Sequence, residues 1–227
     1  MLSKKTDFVG DIFIANLNES CEGLEFYQWM ELQEENCLRM TLGNCVTDEL
    51  YTQLQWNDNT YEYELIDTAE DKWSWLLYGH TYTDDDINTS SITYDNCGCG
   101  CNNMNCDTYK WEGIINIIER NIEPTKIGCE TANGFRIRQS YLFYYIFWVW
   151  SQGKDSISTS TGEKIIDVKN ATSVSNSSRR INAHNKFVSW IIECDSNGRV
   201  GLYRFMQDFS DLFPQWQGTC LKYEPIW

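Results

Sequence analysis

Between Leu24 and Leu42 the apolar positions recur at helical spacing. Phe26, Trp29, Met30, Cys37, Leu38 and Leu42 share one side, while Glu31, Glu34, Glu35 and Arg39 share the other. Gly43 and Asn44 follow, residue types that end helices because they reach left-handed backbone angles at low cost. A second helix begins at once, with Val46, Leu50, Tyr51 and Leu54 as its stripe and Thr47 and Asp48 in its first turn. Residues 1–56 read as a helical hairpin.

From 57 to 108 the helical period is lost. Tyr61, Tyr63 and Leu65 alternate as in a strand, and acidic, Ser/Thr-rich and Cys-rich text follows. The segment reads as an irregular insertion containing short strands. Residues 109–227 supply the remaining core helices. Trp111, Ile114, Ile115, Ile118 and Ile122 predict a helix that stops before Pro124, and a fourth helix is predicted over 133–152. The second half of that fourth helix, YLFYYIFWVW, is apolar all round. Each large aromatic is worth roughly 2–3 kcal/mol on burial, so such a helix must be enclosed by the chain's own core or by neighbouring subunits.

The stretch 151–180 is polar and without helical period, too long for an ordinary connection. It reads either as a disordered linker or as an extended arm that orders against something else. A fifth helix over Ser178 to Cys194 carries Ile181, His184, Phe187, Val188 and Ile191; Asn197-Gly198 marks a turn. A short last helix holds Phe205, Met206, Phe209 and Leu212 before Pro214. The fold class expected is mainly α: a bundle of about five helices, with an irregular, β-containing insertion and a long arm.

Composition narrows the function. The chain of 227 residues is 42% hydrophobic, with ten tryptophans and a net charge of −15. So much aromatic mass means folding or assembly rather than disorder. The acidity disfavours gripping DNA phosphates and repels anionic membranes. The longest apolar run, Tyr141 to Trp150, is half the length of about 20 residues that a membrane span needs. Asp11 interrupts the apolar residues near the N-terminus and no A-x-A-like site follows, which reads against a signal peptide. On that reading the ten cysteines do not imply a disulfide framework.

Candidate chemistry is sparse. Cys97, Cys99, Cys101 and Cys106 form a C-x-C-x-C-x4-C cluster. Four thiolates can hold a structural zinc tetrahedrally, although the paired C-x2-C knuckles are missing. The alternative is reduced or partly cross-linked cysteines in a surface loop. Asp84, Asp86, Asn88 and Asp95 fall in a calcium-loop frame that lacks its glycine, and read as a solvated acidic loop. His184, on an apolar stripe, reads as a hydrogen-bonded structural histidine. STGEK lacks the spacing of a phosphate loop, and no G-x-S-x-G occurs. No catalytic residue and no cofactor other than that zinc are assigned.

Several blocks, in order, resemble the head–tail connector (neck adaptor) proteins of tailed bacteriophages of Bacteroidetes, crAss-like phages included. They are DFVGDIFIANL at 7–17, MELQEENCLRMTLGNCVTDELY at 30–51, KWEGIINII at 110–118 and the aromatic helix at 141–150. The polar arm with Thr161, Gly162, Val168, Asn170 and Val174 then runs into INAHNKFVSWI at 181–191. The chain departs from the pattern at His184, where a tryptophan is expected, and in its larger 57–108 segment. The resemblance implies a virion protein of the neck, assembled in the host cytoplasm, that forms a ring of about twelve copies. It would dock to the portal, meet other neck or tail proteins and let DNA pass without specific binding. Tyr141, Phe143, Tyr144, Phe147, Trp148 and Trp150, with the five arm residues, are the subunit-interface candidates. Two other classes remain open: a small Cys-cluster metal or redox protein, and a monomeric helical binding module.

Overall fold

The computed structural model describes residues 2–14, 20–58, 62–87, 108–120, 135–152, 156–159, 162–165 and 176–217. Among the described residues the chain is mainly helical, with four small sheets. Helices α1 (Ser20–Leu42) and α2 (Asn44–Thr52) form the expected hairpin, broken at Gly43, whose φ of 81° is left-handed. Phe26, Met30, Cys37, Leu38 and Leu42 of α1 are buried, as are Val46 and Leu50 of α2. Leu54 does not extend α2. It opens β1 (Leu54–Asn57), which pairs antiparallel with β2 (Glu62–Leu65).

The stretch read as an insertion contributes to the common core. Helix α3 (Asp71–Tyr78), not expected from the sequence, buries Trp73, Leu76 and Leu77. Strand β3 (His80–Tyr82) buries Tyr82 and joins β4 (Tyr109–Trp111) and β9 (Arg199–Val200) in one sheet, antiparallel to β4, which runs parallel to β9. Around this sheet pack Trp111 on Phe205 and Tyr82 on Phe209, with ring centroids 5.7 and 4.9 Å apart.

The helix expected over 111–122 is instead a strand, a left-handed glycine and another strand, β5 (Asn116–Arg120). Gly113 has φ 86° and lies against Gly79; a Cβ there would stand 2.6 Å from the Gly79 nitrogen. The N–H groups of Ile114 and Ile115 bond to the Leu76 and Leu77 carbonyls, satisfying the C-terminal end of α3 rather than a helix of their own. The predicted fourth helix is likewise split. Residues Phe135–Gln139 form β6, antiparallel to β5, and α4 covers only Tyr141–Gln152. The Ser140 hydroxyl accepts the Leu142 N–H at 3.1 Å and so caps the start of α4.

Within 151–180, Ser156–Thr159 (β7) and Gly162–Ile165 (β8) pair antiparallel. Helix α5 (Asn176–Ile192) follows, then the turn with Gly198 at φ 86°, and α6 (Leu202–Asp208). Among the described residues no helix is long and apolar enough to cross a membrane.

Candidate assembly surfaces

Helix α4 carries the aromatic run, and its enclosure is largely internal. Tyr141, Phe143 and Phe147 are 0, 1 and 6% exposed within the single chain. Tyr141 reaches Phe187 of α5 and its hydroxyl meets that of Thr41 on α1 at 3.3 Å. Of the two enclosures the sequence allows, the chain's own core buries this side of the helix, with Tyr141 against α5 and α1 and Phe143 against Phe8 and Arg138. Tyr144, Trp148 and Trp150 are half-buried. Trp150 packs on Phe26 and Trp29 of α1, at 4.8 and 5.0 Å, and Trp148 packs on His184 at 4.5 Å. His184 is buried, as expected, yet its Nδ1 has no hydrogen-bond partner, so ring packing rather than hydrogen bonding holds it.

A strap formed by residues 2–14 lies beside α4, and its anchors were not legible as a site. Leu2, Phe8 and Ile12 are buried. Glu34, expected on the polar side of α1, is 1% exposed and accepts the N–H groups of Leu2 and Ser3 at 2.6 and 2.7 Å. Its position, four after Met30 and four before Leu38, lies on the apolar stripe and is the signal that marks it. From β6, Arg138 donates to both Asp7 carboxylate oxygens, at 3.1 and 2.9 Å, and to the Leu2 carbonyl at 2.7 Å. From α5, Lys186 pairs with Asp11 at 2.7 Å and Arg179 donates to the Asp11 and Phe13 carbonyls. The strap thus ties α1, β6 and α5 together next to the aromatic helix.

Burial sets the electrostatics of this strap. It raises the Asp7 carboxyl to about 6, against the Arg138 and Lys4 charges that lower it, and it raises Glu34 against the two N–H bonds. Asp208, buried beside Tyr82 and Arg204, is raised for the same reason. The folded chain therefore binds protons more tightly than the unfolded chain between the ordinary carboxylate range and about 6. Stability gained from these groups is present at the acid side of that window and lost as the pH rises through it. Asp11 and Asp86 are lowered, by Lys186 and by Thr83, but both are exposed and act weakly in the opposite sense. The thermal midpoint is expected to rise as the pH is lowered from about 8 to about 5.5; a fall over that interval in a pH series of melting curves would contradict it.

Other candidate residues stand as follows. Gly162 opens β8. Thr161, Val168, Asn170 and Val174 lie outside the described residues, as do Cys97, Cys99, Cys101 and Cys106. No group of three or more metal-ligating side chains is brought together among the described residues. Cys37 is a buried thiol, pushed well up by burial, and Cys45 is a free exposed one. Cys194 is disulfide-bonded. Asp86 accepts the N–H and hydroxyl of Thr83, closing the short turn Asp84–Asp86 on itself. Comparison with family models, with curated proteins and with solved structures gave no match to this chain.

Proposed function

We propose that this chain is a structural protein of a phage neck, a ring-forming head-to-tail adaptor that docks to the portal and surrounds the DNA channel. The observation that carries the reading is the hairpin β7–β8. It rises from the polar stretch between α4 and α5 and, among the described residues, pairs only with itself. A lone two-stranded sheet is marginal in water, and its outer N–H and C=O groups are suited to a third strand. The hairpin follows the end of α4 where Trp148 and Trp150 are only half-buried. Arm and ring-bearing side chains together make a surface suited to an adjacent copy. Contact between two different patches on identical chains makes a ring when its rotation closes on itself.

The helical frame of α1, α2, α4 and α5 corresponds, on this reading, to the adaptor bundle, and no catalytic role is assigned to it. The acidity of the chain suits a channel wall that DNA must slide past, since it repels phosphates instead of holding them. The ring would assemble in the host cytoplasm and remain in the virion neck, with the portal and other neck or tail proteins as its neighbours. Deleting 155–176 is expected to leave a folded subunit, judged by circular dichroism, that no longer forms rings alone or on portal by native mass spectrometry. Rings of normal size from the deleted chain would remove the arm from the argument. A full-length chain that stays monomeric in the presence of portal would remove the adaptor reading itself.

A further inference from the structure

We propose that the groove between β6 and the strap receives the β7–β8 hairpin of a second copy as an added strand. The inference rests on the arm reading above and names what the arm would meet. Two cavities of about 280 and 310 Å³ adjoin here, both lined by Asp7, Val9, Ile137 and Arg138. Ile137 and Arg138 are successive residues of β6, so they point to opposite faces of its sheet. Because both of them line both cavities, the groove runs along the edge of β6 and not over one face.

Among the described residues β6 pairs only with β5, and no backbone hydrogen bond joins it to the strap. The link across the groove is the Arg138 side chain, which reaches Asp7 and the Leu2 carbonyl. Alternate residues of an edge strand turn their N–H and C=O groups outward, where an extended segment can take them up. Val9, 49% exposed, and half-buried Ile137 give the groove apolar walls, and Tyr144 of α4 lines one end.

Charge and position select the occupant. Asp7 pairs with Arg138, Asp11 with Lys186 and Lys4 with Glu62, so each charged side chain lining the groove has its counterion. A groove neutral pair by pair favours neither nucleic acid nor a strongly charged peptide. The strands β7 and β8 read SIST and GEKI, with Glu163 balanced by Lys164, and each has an edge unpaired among the described residues. Repulsion between two copies of net charge −15 arises elsewhere on their surfaces and is screened beyond about 8 Å at physiological salt. Position then points to a neighbour's arm. Strand β6 leads into the first turn of α4 and the hairpin leaves its last, about 18 Å along the helix. Hairpin and β6 do not pair within one chain. Donor and acceptor at opposite ends of one helix make a head-to-tail contact between copies.

The test uses the full chain with Ser158 replaced by p-benzoylphenylalanine, mixed with isotope-labelled parent. Irradiation should join position 158 to residues 7–12 or 135–139 of the labelled copy, read by mass spectrometry. A fluorescent peptide of residues 154–166 should bind the parent, diluted until native mass spectrometry shows monomer. It should bind about tenfold or more weakly to Val9→Trp, whose indole fills the groove, and nearly normally to Val9→Ala. Circular dichroism checks that both variants are folded. Rings lost on deleting 155–176 but kept in Val9→Trp would overturn this acceptor and leave the arm reading standing; rings kept in both would remove both. The proposal also fails if the cross-links fall within one chain or on another surface. It fails as well if the peptide does not bind, or binds Val9→Trp as tightly as the parent.

Discussion

Replacing Trp73 by alanine is expected to lower the free energy of unfolding by about 3–5 kcal/mol, as for other buried large aromatics. Trp73 sits in α3, inside a stretch whose text reads as an insertion, yet it is 1% exposed and packs edge-on against Phe213 at 5.7 Å. Lys72 also lies over its ring, at 5.2 Å. Truncation leaves a cavity between α3 and the residues after α6, and close-packed neighbours relax only in part. Trp56→Ala is the comparison, because that ring is 44% exposed and, with its Tyr63 contact and Asp58 bond, should cost only about 1 kcal/mol. Urea denaturation of the two variants checks the pair. Equal, small losses would mean that α3 is peripheral after all.

The second large effect belongs to Arg138. Replacing it by methionine strands the Asp7 carboxylate, 5% exposed, without its ion-pair partner and removes the bond to the Leu2 carbonyl. Breaking a buried pair from one side costs about 3–5 kcal/mol, and that is the loss expected at pH 8. The loss should shrink at pH 5. Asp7 titrates near 6 even with Arg138 beside it, and without that cation burial alone pushes it higher, so a mildly acidic medium supplies a neutral carboxyl. Asp7→Asn in the Arg138→Met background should recover part of the loss at pH 8. A loss independent of pH, with no recovery in the double variant, would show that the ion pair does not govern the strap.

The two variants probe the places where sequence and tertiary structure part company. The helical hairpin was legible because α1 and α2 each present an apolar stripe and Gly43 separates them. Helix α5 was legible for the same reason, within two residues at each end. By contrast, Ile114, Ile115 and Ile118 fit a helical period as well as a strand, since a short apolar run cannot distinguish them. The left-handed glycine at 113 and acceptors on α3 decided it. In FRIRQ at 135–139 the strand alternation was present, followed by a capping serine, but the adjoining aromatic helix masked it.

The candidate assembly surface shows the same division. That YLFYYIFWVW must be enclosed followed from its composition alone; what encloses it did not. Tyr141 turns toward α1 and α5, Phe147 lies under Arg179 of α5 and Phe143 turns toward Phe8 and Arg138, while Tyr144, Trp148 and Trp150 keep part of their surface outward, a choice set by tertiary packing. The sequence by itself determined which residues share a face of each long helix, the acidity of the chain and the polar break after α4, because these depend on neighbours along the chain. Only the tertiary structure decided that α3 joins the core, that Glu34 receives the strap's N–H groups and that Arg138 pairs with Asp7. Those outcomes turn on partners tens of residues away, whose burial and hydrogen bonds outweigh local preference.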